Sequence, residues 1–146
     1  MKAVLQRART ASVSVDGETV GSLDRPGLLV LLGVTHTDGP AEAARLAEKV
    51  WRLRMLEDEQ SCESASAPLL VVSQFTLYGE VRKGRRPSWT AASGRDHSEP
   101  LYGEFVSCLR TLGAEVSTGV FGAMMEVSLV NSGPFTLIVD TADLPG

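Results

Sequence analysis

Cysteine and histidine are scarce in this chain of 146 residues, and each shortage excludes a class of protein. Cys62 and Cys108 are too few and too far apart in sequence for a disulfide framework or a zinc knuckle. His36 and His97 are the only histidines, and neither has an acid or a nucleophile beside it at a motif spacing. Walker-type loops, G-x-G-x-x-G, H-E-x-x-H and C-x-x-C are absent. We therefore expect no metal and no organic cofactor.

An excess of positive charge and long apolar runs are missing as well. The formal net charge is −4, so the molecule as a whole does not attract nucleic acid, and a polyanion would need a local basic patch. No run approaches the roughly 18 apolar residues of a membrane span, and the opening "MKAVLQRART" lacks the apolar segment of a signal peptide. We expect a cytoplasmic protein with one domain over residues 1–146.

The remaining pattern is typical of a mixed α/β or α+β domain. Alternating or apolar runs predict strands at 2–6, 12–15, 18–23, 28–34, 69–77, 114–118 and 124–140. An amphipathic pattern predicts one helix from Pro40 to about Met55 and another from an N-cap at Ser98 to Gly113. Residues 57–67 are polar and small and predict a loop without a packing role. The expected architecture is a mixed, partly barrel-like sheet with two main helices.

Three polar residues interrupt an apolar run that is otherwise typical of a buried strand. Ser73, Gln74 and Thr76 follow two valines, and buried polar side chains cost free energy unless they are hydrogen-bonded. One interpretation is that they line a pocket or the end of a strand. The alternative, which is better for any one of them alone, is that they only satisfy neighbouring backbone groups.

A single basic cluster follows that run. Its four cations are Arg82, Lys83, Arg85 and Arg86. Trp89 comes three residues later and offers an aromatic face on which a base can stack. On an acidic protein this cluster is the one local site suited to phosphates. We favour phosphate contact over a solvated loop of charges because the cluster directly follows the polar residues.

Residues 131–134, Asn-Ser-Gly-Pro, separate two runs typical of strands. Glycine permits positive φ and proline lacks an N–H, so the pattern predicts a break, and a hairpin turn is the better interpretation of these four residues alone. An X-Pro bond is also where a cis peptide occurs in folded proteins. Gly133-Pro134 could therefore present two carbonyl oxygens side by side.

These segments resemble the D-aminoacyl-tRNA deacylase family. The similarity lies in "VVSQFTLYG" at 71–79, "KGRRPS" at 83–88 and "GVFGAMMEVSLVNSGPFT" at 119–136, together with "MKAVLQRA" and "GLLVLLGV". It extends nearly end to end in the same order, and the S-Q-x-T and N-x-G-P-x-T pair is specific. The resemblance implies hydrolysis of the ester that links a D-amino acid, or glycine, to the terminal adenosine of tRNA, while L-aminoacyl-tRNA is spared.

The resemblance also assigns roles to residues. The catalytic wall would be Ser73, Gln74, Phe75 and Thr76; the substrate-binding and chiral-selection residues would be Gly133, Pro134, Met125, Asn131, Phe135 and Thr136; the tRNA-binding residues would be Arg82, Lys83, Arg85, Arg86 and Ser98. Family members are homodimers in which the Gly-Pro peptide is cis and enters the partner's active site. The dipeptide alone does not report its isomer, and the intact "SQFT" and "NSGPFT" make cis our expectation.

Two mechanisms are compatible with these residues. In the family the backbone N–H at the Phe75 position stabilises the oxyanion. Thr76 is a candidate nucleophile by position, but a hydroxyl needs an activating base and none is visible beside it. We favour the family's route, in which the 2′-hydroxyl of the terminal ribose helps to activate or orient water.

Two rival functions and two departures stay open. The rivals are a small-molecule esterase with Thr76 as nucleophile, and a non-catalytic module that binds the tRNA 3′ end. Residues 57–68 are several positions shorter than is usual in the family, which puts the loop geometry there in doubt. Ser98 stands where members often have an alanine that lines the adenosine pocket, so the nucleotide fit differs.

Overall fold

Six strands and three α-helices make up the fold in the computed structural model, which describes all residues 1–146. The strands are β1 Lys2–Val15, β2 Glu18–Ser22, β3 Gly27–Gly33, β4 Leu69–Ser73, β5 Val116–Thr118 and β6 Glu126–Asp140. The helices are α1 Pro40–Arg52, α2 Cys62–Ala65 and α3 Arg95–Thr111, with 3₁₀ turns at Glu57–Glu59, Phe75–Tyr78 and Thr141–Asp143. None of the helices is both long and apolar enough to cross a membrane.

All six strands form one mixed sheet in the order β2-β1-β3-β4-β5, and β6 pairs with β1. β1 is antiparallel to β2, β3 and β6, whereas β3, β4 and β5 run parallel to one another. The outer strands β2 and β5 approach each other, since a Cβ at Gly21 would lie 2.3 Å from the main-chain oxygen of Thr118. The sheet is therefore nearly closed, and the predicted mixed, partly barrel-like fold is confirmed.

The main core lies between the sheet and helices α1 and α3. Leu69 and Val71 of β4 belong to this core, while Leu70 and Val72 belong to a smaller cluster on the opposite face. This alternation follows from the two-residue period of a strand. Because β4 is buried on both faces, its sequence is continuously apolar, as expected for a parallel strand in the interior.

The short segment after α1 has a packing role, so the prediction of a loop without one is wrong. Ser61 accepts a hydrogen bond from the N–H of Ser64 at 3.0 Å and caps α2. Cys62 is 1% exposed and belongs to the main core with Ala67. Four helical residues are too few to show a 3.6-residue period, which is why the pattern did not reveal them.

Several predicted boundaries shift. β1 is one strand of 14 residues rather than two, and α1 ends at Arg52 rather than near Met55. The predicted strand 69–77 ends at Ser73, because the next residues form a 3₁₀ turn. Ser98 is not an N-cap: α3 begins at Arg95, after Gly94 as N-cap, and Ser98 is buried in the helix.

The predicted turn at residues 131–134 is also wrong. β6 continues from Glu126 to Asp140 and pairs with β1 on both sides of the Asn-Ser-Gly-Pro segment. The backbone break is absorbed by an irregular bulge instead of a hairpin. A long partner strand decides this, because β1 offers hydrogen-bonding positions beyond the interruption.

Candidate active site

A cavity of about 680 Å³ opens where β4 ends, between α3 and the segment that leads into β6. It is larger than the two other described cavities, of about 240 and 350 Å³. Its lining combines Leu32, Val34, Val72, Ser73, Gln74, Phe75, Ser98, Tyr102, Val127, residues 121–126, Ser14, Asp16 and Gly17. The end of a parallel strand is a common position for a binding site in such sheets.

One wall of the cavity is formed by Ser73, Gln74 and Phe75. The N–H of Gln74 donates to the main-chain oxygen of Leu32 at 2.7 Å, which fixes the point where the chain leaves the sheet. Phe75 is the first residue of a 3₁₀ turn, so its N–H has no acceptor inside that turn. The wall thus offers a backbone donor on a segment that is tied to the buried strand.

Thr76 is exposed and follows the lining residues. Its hydroxyl accepts a hydrogen bond from the Gln74 side chain and makes no other hydrogen bond. Both histidines bond to main-chain oxygens elsewhere: His36 to Thr90 at 2.8 Å and His97 to Asp38 at 2.9 Å. The structure therefore offers Thr76 no base that would activate it as a nucleophile.

Helix α3 supplies the floor of the cavity through Ser98 and Tyr102, both buried. The Tyr102 hydroxyl donates to the main-chain oxygen of Val71 at 2.7 Å, which joins α3 to β4. Burial raises the pKa of Tyr102 to about 12. Tyr102 is therefore a neutral anchor at physiological pH and not a general base.

The opposite wall is the segment 121–125. Phe121 packs against Tyr102 with ring centroids 5.8 Å apart, and the Arg95 guanidinium lies 5.6 Å from the Phe121 ring centre. Met125 enters the cavity over Gly119, where a Cβ would lie only 2.6 Å from the Met125 sulfur. The absence of a side chain at Gly119 therefore allows Met125 its position.

Two carboxylates at the cavity, Asp16 and Glu126, were not among the predicted site residues. Asp16 lies in the β1–β2 turn, and Glu126 pairs in register with Ser14 of β1. Both side chains are exposed. Only the tertiary pairing of β1 with β6 brings them to the cavity, so no local sequence signal indicates them.

The second group of predicted residues lies on β6, at the bulge. Gln6 pairs with Thr136 and Ala8 pairs with Asn131, so the four residues 132–135 lie opposite Arg7 alone. The peptide bond between Gly133 and Pro134 is cis. Both residues are exposed, and a Cβ at Gly133 would meet no atom of this chain within 4 Å.

Side chains on both strands hold this bulge. Asn131 Nδ2 donates to the main-chain oxygens of Arg7 at 2.9 Å and Phe135 at 3.2 Å. The Thr136 hydroxyl donates to Asn131 Oδ1 at 3.2 Å. Arg7 Nε donates to the Ser132 oxygen at 3.2 Å, and its guanidinium lies 4.4 Å from the centre of the Phe135 ring. Asn131 and Thr136 thus shape the bulge, and Arg7 is a contributor that the sequence reasoning missed.

The structure does not bring the two predicted groups together within one chain. Ser73, Gln74, Phe75, Ser98 and Met125 line the cavity. None of the predicted residues on β6 does so: Asn131, Gly133, Pro134, Phe135 and Thr136.

The basic cluster forms an exposed loop beside the first group. Glu80 and Ser88 pair as an antiparallel bridge at its base, and Gly84 has a φ of +71° at its tip. Arg82 lies 3.9 Å from the Glu80 carboxylate. The other three cations, Lys83, Arg85 and Arg86, form no ion pair within the chain. They are therefore available to an external anion.

Metal-binding clusters of three or more His, Cys, Asp or Glu side chains do not occur in the chain. Both cysteines are free thiols. Burial raises the pKa of Cys62 to about 12, so that thiol stays protonated. Neither cysteine is placed to act in the cavity.

Comparison with known proteins agrees with this geometry. The family model described as D-Tyr-tRNA(Tyr) deacylase matches residues 4–140. A D-aminoacyl-tRNA deacylase of Thermobifida fusca is 64% identical over 140 residues, which cover 96% of this chain and 99% of the relative. One from Micrococcus luteus is 62% identical over 146 residues, covering 100% of this chain and 97% of the relative.

Two solved structures share the fold. One, described as "c-Myc DNA Unwinding Element Binding Protein", has a TM-score of 0.90 at 36% identity and covers 96% of this chain and 98% of its own. The other, described as "Structural Analysis of a probable eukaryotic D-amino acid tRNA deacylase", has a TM-score of 0.80 and covers 94% and 97%. At 18% identity, it supports the fold alone.

The match over residues 4–140 and the high identities define the class: the chain belongs to the D-Tyr-tRNA(Tyr) deacylase family. The prediction that it is an enzyme of this family is thereby confirmed.

Proposed function

We propose that this chain hydrolyses the ester bond between a D-amino acid, or glycine, and the 3′-terminal adenosine of tRNA, and releases free amino acid and tRNA. The observation that carries the proposal is the cavity at the end of β4. It combines the Ser73 to Phe75 wall with apolar surface suited to an adenosine, directly beside the exposed basic loop. Family membership supports the same reaction.

The Phe75 N–H is the proposed oxyanion donor. Ester hydrolysis places negative charge on the former carbonyl oxygen, and a preorganised N–H stabilises that charge without reorganisation. Phe75 begins its 3₁₀ turn, so this donor is not used within the turn. The hydrogen bond from Gln74 N–H to Leu32 fixes the residue before it.

The attacking water is activated or oriented by the 2′-hydroxyl of the terminal ribose. The chain supplies no base at Thr76, since its hydroxyl pairs only with Gln74 and both histidines bond elsewhere. Thr76 then positions the wall through its contact with Gln74. A mechanism assisted by the substrate needs no acid or base from the protein.

Chiral selection is assigned to the bulge of a partner subunit in a homodimer. Within one chain Gly133 and Pro134 are exposed and lie outside the cavity lining, and no side chain covers Gly133. Carbonyl oxygens of the partner's bulge would hold the substrate ammonium and leave no room for an L side chain. Selection would then depend on rejection as much as on attraction.

The acceptor-end phosphates are assigned to the basic loop of Arg82, Lys83, Arg85 and Arg86, with Ser98 lining the adenosine position. Three of these cations have no carboxylate partner in the chain, and all four are exposed. Phosphate contacts of this kind make binding depend steeply on salt. Because aminoacyl-tRNA is used in the cytoplasm, the proposed substrate assigns the enzyme to that compartment.

Three substrates test the proposal: D-Tyr-tRNA, L-Tyr-tRNA and D-Tyr-tRNA with a terminal 2′-deoxyribose. We expect ester loss with the first and much slower loss with the other two. Equal cleavage of the D and L esters would contradict the assignment of the bulge. Efficient cleavage of the 2′-deoxy ester would remove the role of the ribose, and binding without ester loss would leave only a tRNA-end binding module.

Two substitutions at one position test the oxyanion donor. Phe75→Pro removes the N–H, and proline is tolerated at the first position of a helical turn. We expect kcat to fall roughly 10²- to 10³-fold. Phe75→Ala keeps the N–H, so its main effect should be on KM through the lost ring. A kcat that falls equally in both variants would show that the N–H has no special role.

A further inference from the structure

Two large aromatic rings are exposed beside the cavity. Phe75 is 56% exposed and Trp89 is 44% exposed, although rings of this size are usually largely buried. Their centroids lie 5.5 Å apart with an interplanar angle of 72°, an edge-to-face contact. The pair is therefore an ordered aromatic surface that the core does not use.

The backbone beneath Trp89 fixes the position of its indole ring. A Cβ at Gly79 would lie 2.6 Å from Trp89 Cζ3 and 3.2 Å from Cε3, so the ring packs directly on the glycine. The Trp89 oxygen accepts the N–H of Ala92 at 3.0 Å, and the Glu80–Ser88 bridge holds the preceding loop. Anchored on one side and open on the other, the ring loses little conformational freedom when a flat group stacks on it.

The aromatic pair connects the cavity to the basic loop. Phe75 lines the cavity, and Trp89 touches Phe75 and directly follows the loop that carries residues 82–86. A strand with its last nucleoside in the cavity and its phosphates on the loop would have to cross this pair. An aromatic face beside a row of cations is the usual arrangement for binding an unpaired strand.

We propose that Trp89 stacks on the base of the nucleotide that precedes the terminal adenosine, and is thereby a further substrate-binding residue. This inference rests on the proposed function, because it takes the terminal adenosine to lie in the cavity. Stacking tolerates any base, while the unpaired cations of the loop favour a polyanion over an uncharged peptide. The end of every tRNA is unpaired and offers its bases to such a contact.

The kinetic test compares a whole substrate with a truncated one. The substrates are D-Tyr-tRNA and D-Tyr-adenosine, which has no preceding base. For Trp89→Leu we expect kcat/KM with the tRNA to fall about tenfold more than with the truncated ester, mostly through KM. Trp89→Phe, which keeps an aromatic face, should recover most of that difference.

Val81→Ala is the matched control. Val81 is an apolar residue of the same loop and is 72% exposed, but it has no aromatic face. We expect it to change the ratio of the two kcat/KM values less than twofold. If Trp89→Leu lowers both substrates equally, or Val81→Ala reproduces its effect, then Trp89 only supports the loop and the inference is wrong.

A binding measurement tests the contact directly in the wild-type protein. Trp51 is 5% exposed and Trp89 is 44% exposed, so iodide should quench mainly Trp89 fluorescence. The trinucleotide CCA should protect this fluorescence from iodide, whereas adenosine alone should protect it far less, and Trp89→Phe should abolish the effect. Equal protection by adenosine and CCA, or none by CCA, would overturn the inference.

These outcomes are distinct from failure of the proposed function. If wild-type protein cleaves neither D-aminoacyl ester, the reaction assigned to the cavity is wrong. If it cleaves both and the Trp89 variants do not distinguish them, the reaction stands and only the stacking contact is lost.

Discussion

The two segments that carry the family resemblance are held in opposite ways. Residues 73–76 continue a strand that is buried on both faces, and the Tyr102 hydroxyl and the Gln74 N–H tie them to α3 and β3. Residues 131–136 lie on an exposed strand that pairs with β1 alone. Exposed hydrogen bonds from Asn131 and Arg7 hold their shape.

This difference indicates which half of the site needs another molecule. The first segment lines a complete cavity within its own chain. The second projects a shaped but uncovered backbone away from that cavity. A chain that builds a bulge so carefully at its surface is consistent with a bulge that works in a second subunit, and the predictions below test that contrast.

The largest expected effect comes from mixing two inactive variants. Phe75→Pro damages the cavity wall and Gly133→Val obstructs the bulge, and each homodimer should lose nearly all deacylation. After subunit exchange, half of the dimers are mixed, and each mixed dimer has one cavity and one bulge that are both intact and face each other. Activity should therefore return to about a quarter of the wild-type value, measured as D-Tyr-tRNA ester loss.

The double variant mixed with wild-type protein is the control for exchange. It places both lesions in one chain, so a mixed dimer holds no site in which cavity and bulge are both intact. Failure of the two single variants to complement each other, with exchange shown by differently tagged chains, would mean that cavity and bulge act within one chain.

The next effect concerns how the cavity wall is supported. Phe105 is 0% exposed and lies on α3 one turn after Tyr102, within the main core. Phe105→Ala should lower the free energy of unfolding by about 3–5 kcal/mol, measured by urea denaturation. Ser107→Ala, at an exposed position of the same helix, should change it by less than about 0.5 kcal/mol. Similar values for both would show that α3 does not support the wall through the core.

The smallest effect is that of the tyrosine that joins α3 to β4. Tyr102→Phe removes the hydrogen bond to Val71 and should cost about 1 kcal/mol at pH 7. Burial raises the pKa of Tyr102 from 10 to about 12, so the folded state favours the neutral phenol. That stabilisation is complete below pH 10 and is lost as the pH rises through 12.

Unfolding free energies of wild type and Tyr102→Phe, measured from pH 8 to 12, check this sign. The difference between the two proteins should narrow above pH 10, because only the wild type loses the phenol contribution. A difference that stays constant or widens would show that the phenol is not protected from ionisation in the folded state.

Much of the fold follows from local patterns. The period of α1, the Asp16-Gly17 turn between β1 and β2, and the apolar runs of β3 and β4 each occupy enough consecutive residues to show a period or a turn type. The polar residues at the end of β4 also indicated a pocket or a strand end, and the structure has both there.

Local patterns failed where distant residues decide the structure. Asn-Ser-Gly-Pro reads as a turn by itself, but β1 pairs on both sides of it and makes a bulge. Ser98 reads as an N-cap, but it is buried in α3 beside the cavity. Asp16, Glu126 and Arg7 were not indicated as site residues, because only strand pairing places them.

The sequence by itself determined the fold class and the family of this protein, since hydrophobic periodicity and two specific motifs are properties of consecutive residues. Only the tertiary structure decided that the motif around Gly133-Pro134 is a bulge on a continuous strand, separate from the cavity that Ser73 to Phe75 line. The physical reason is that a strand's conformation depends on the hydrogen bonds of its partner. The partner, β1, lies more than 100 residues earlier in the chain, as the Arg7 to Ser132 contact shows with its separation of 125 residues.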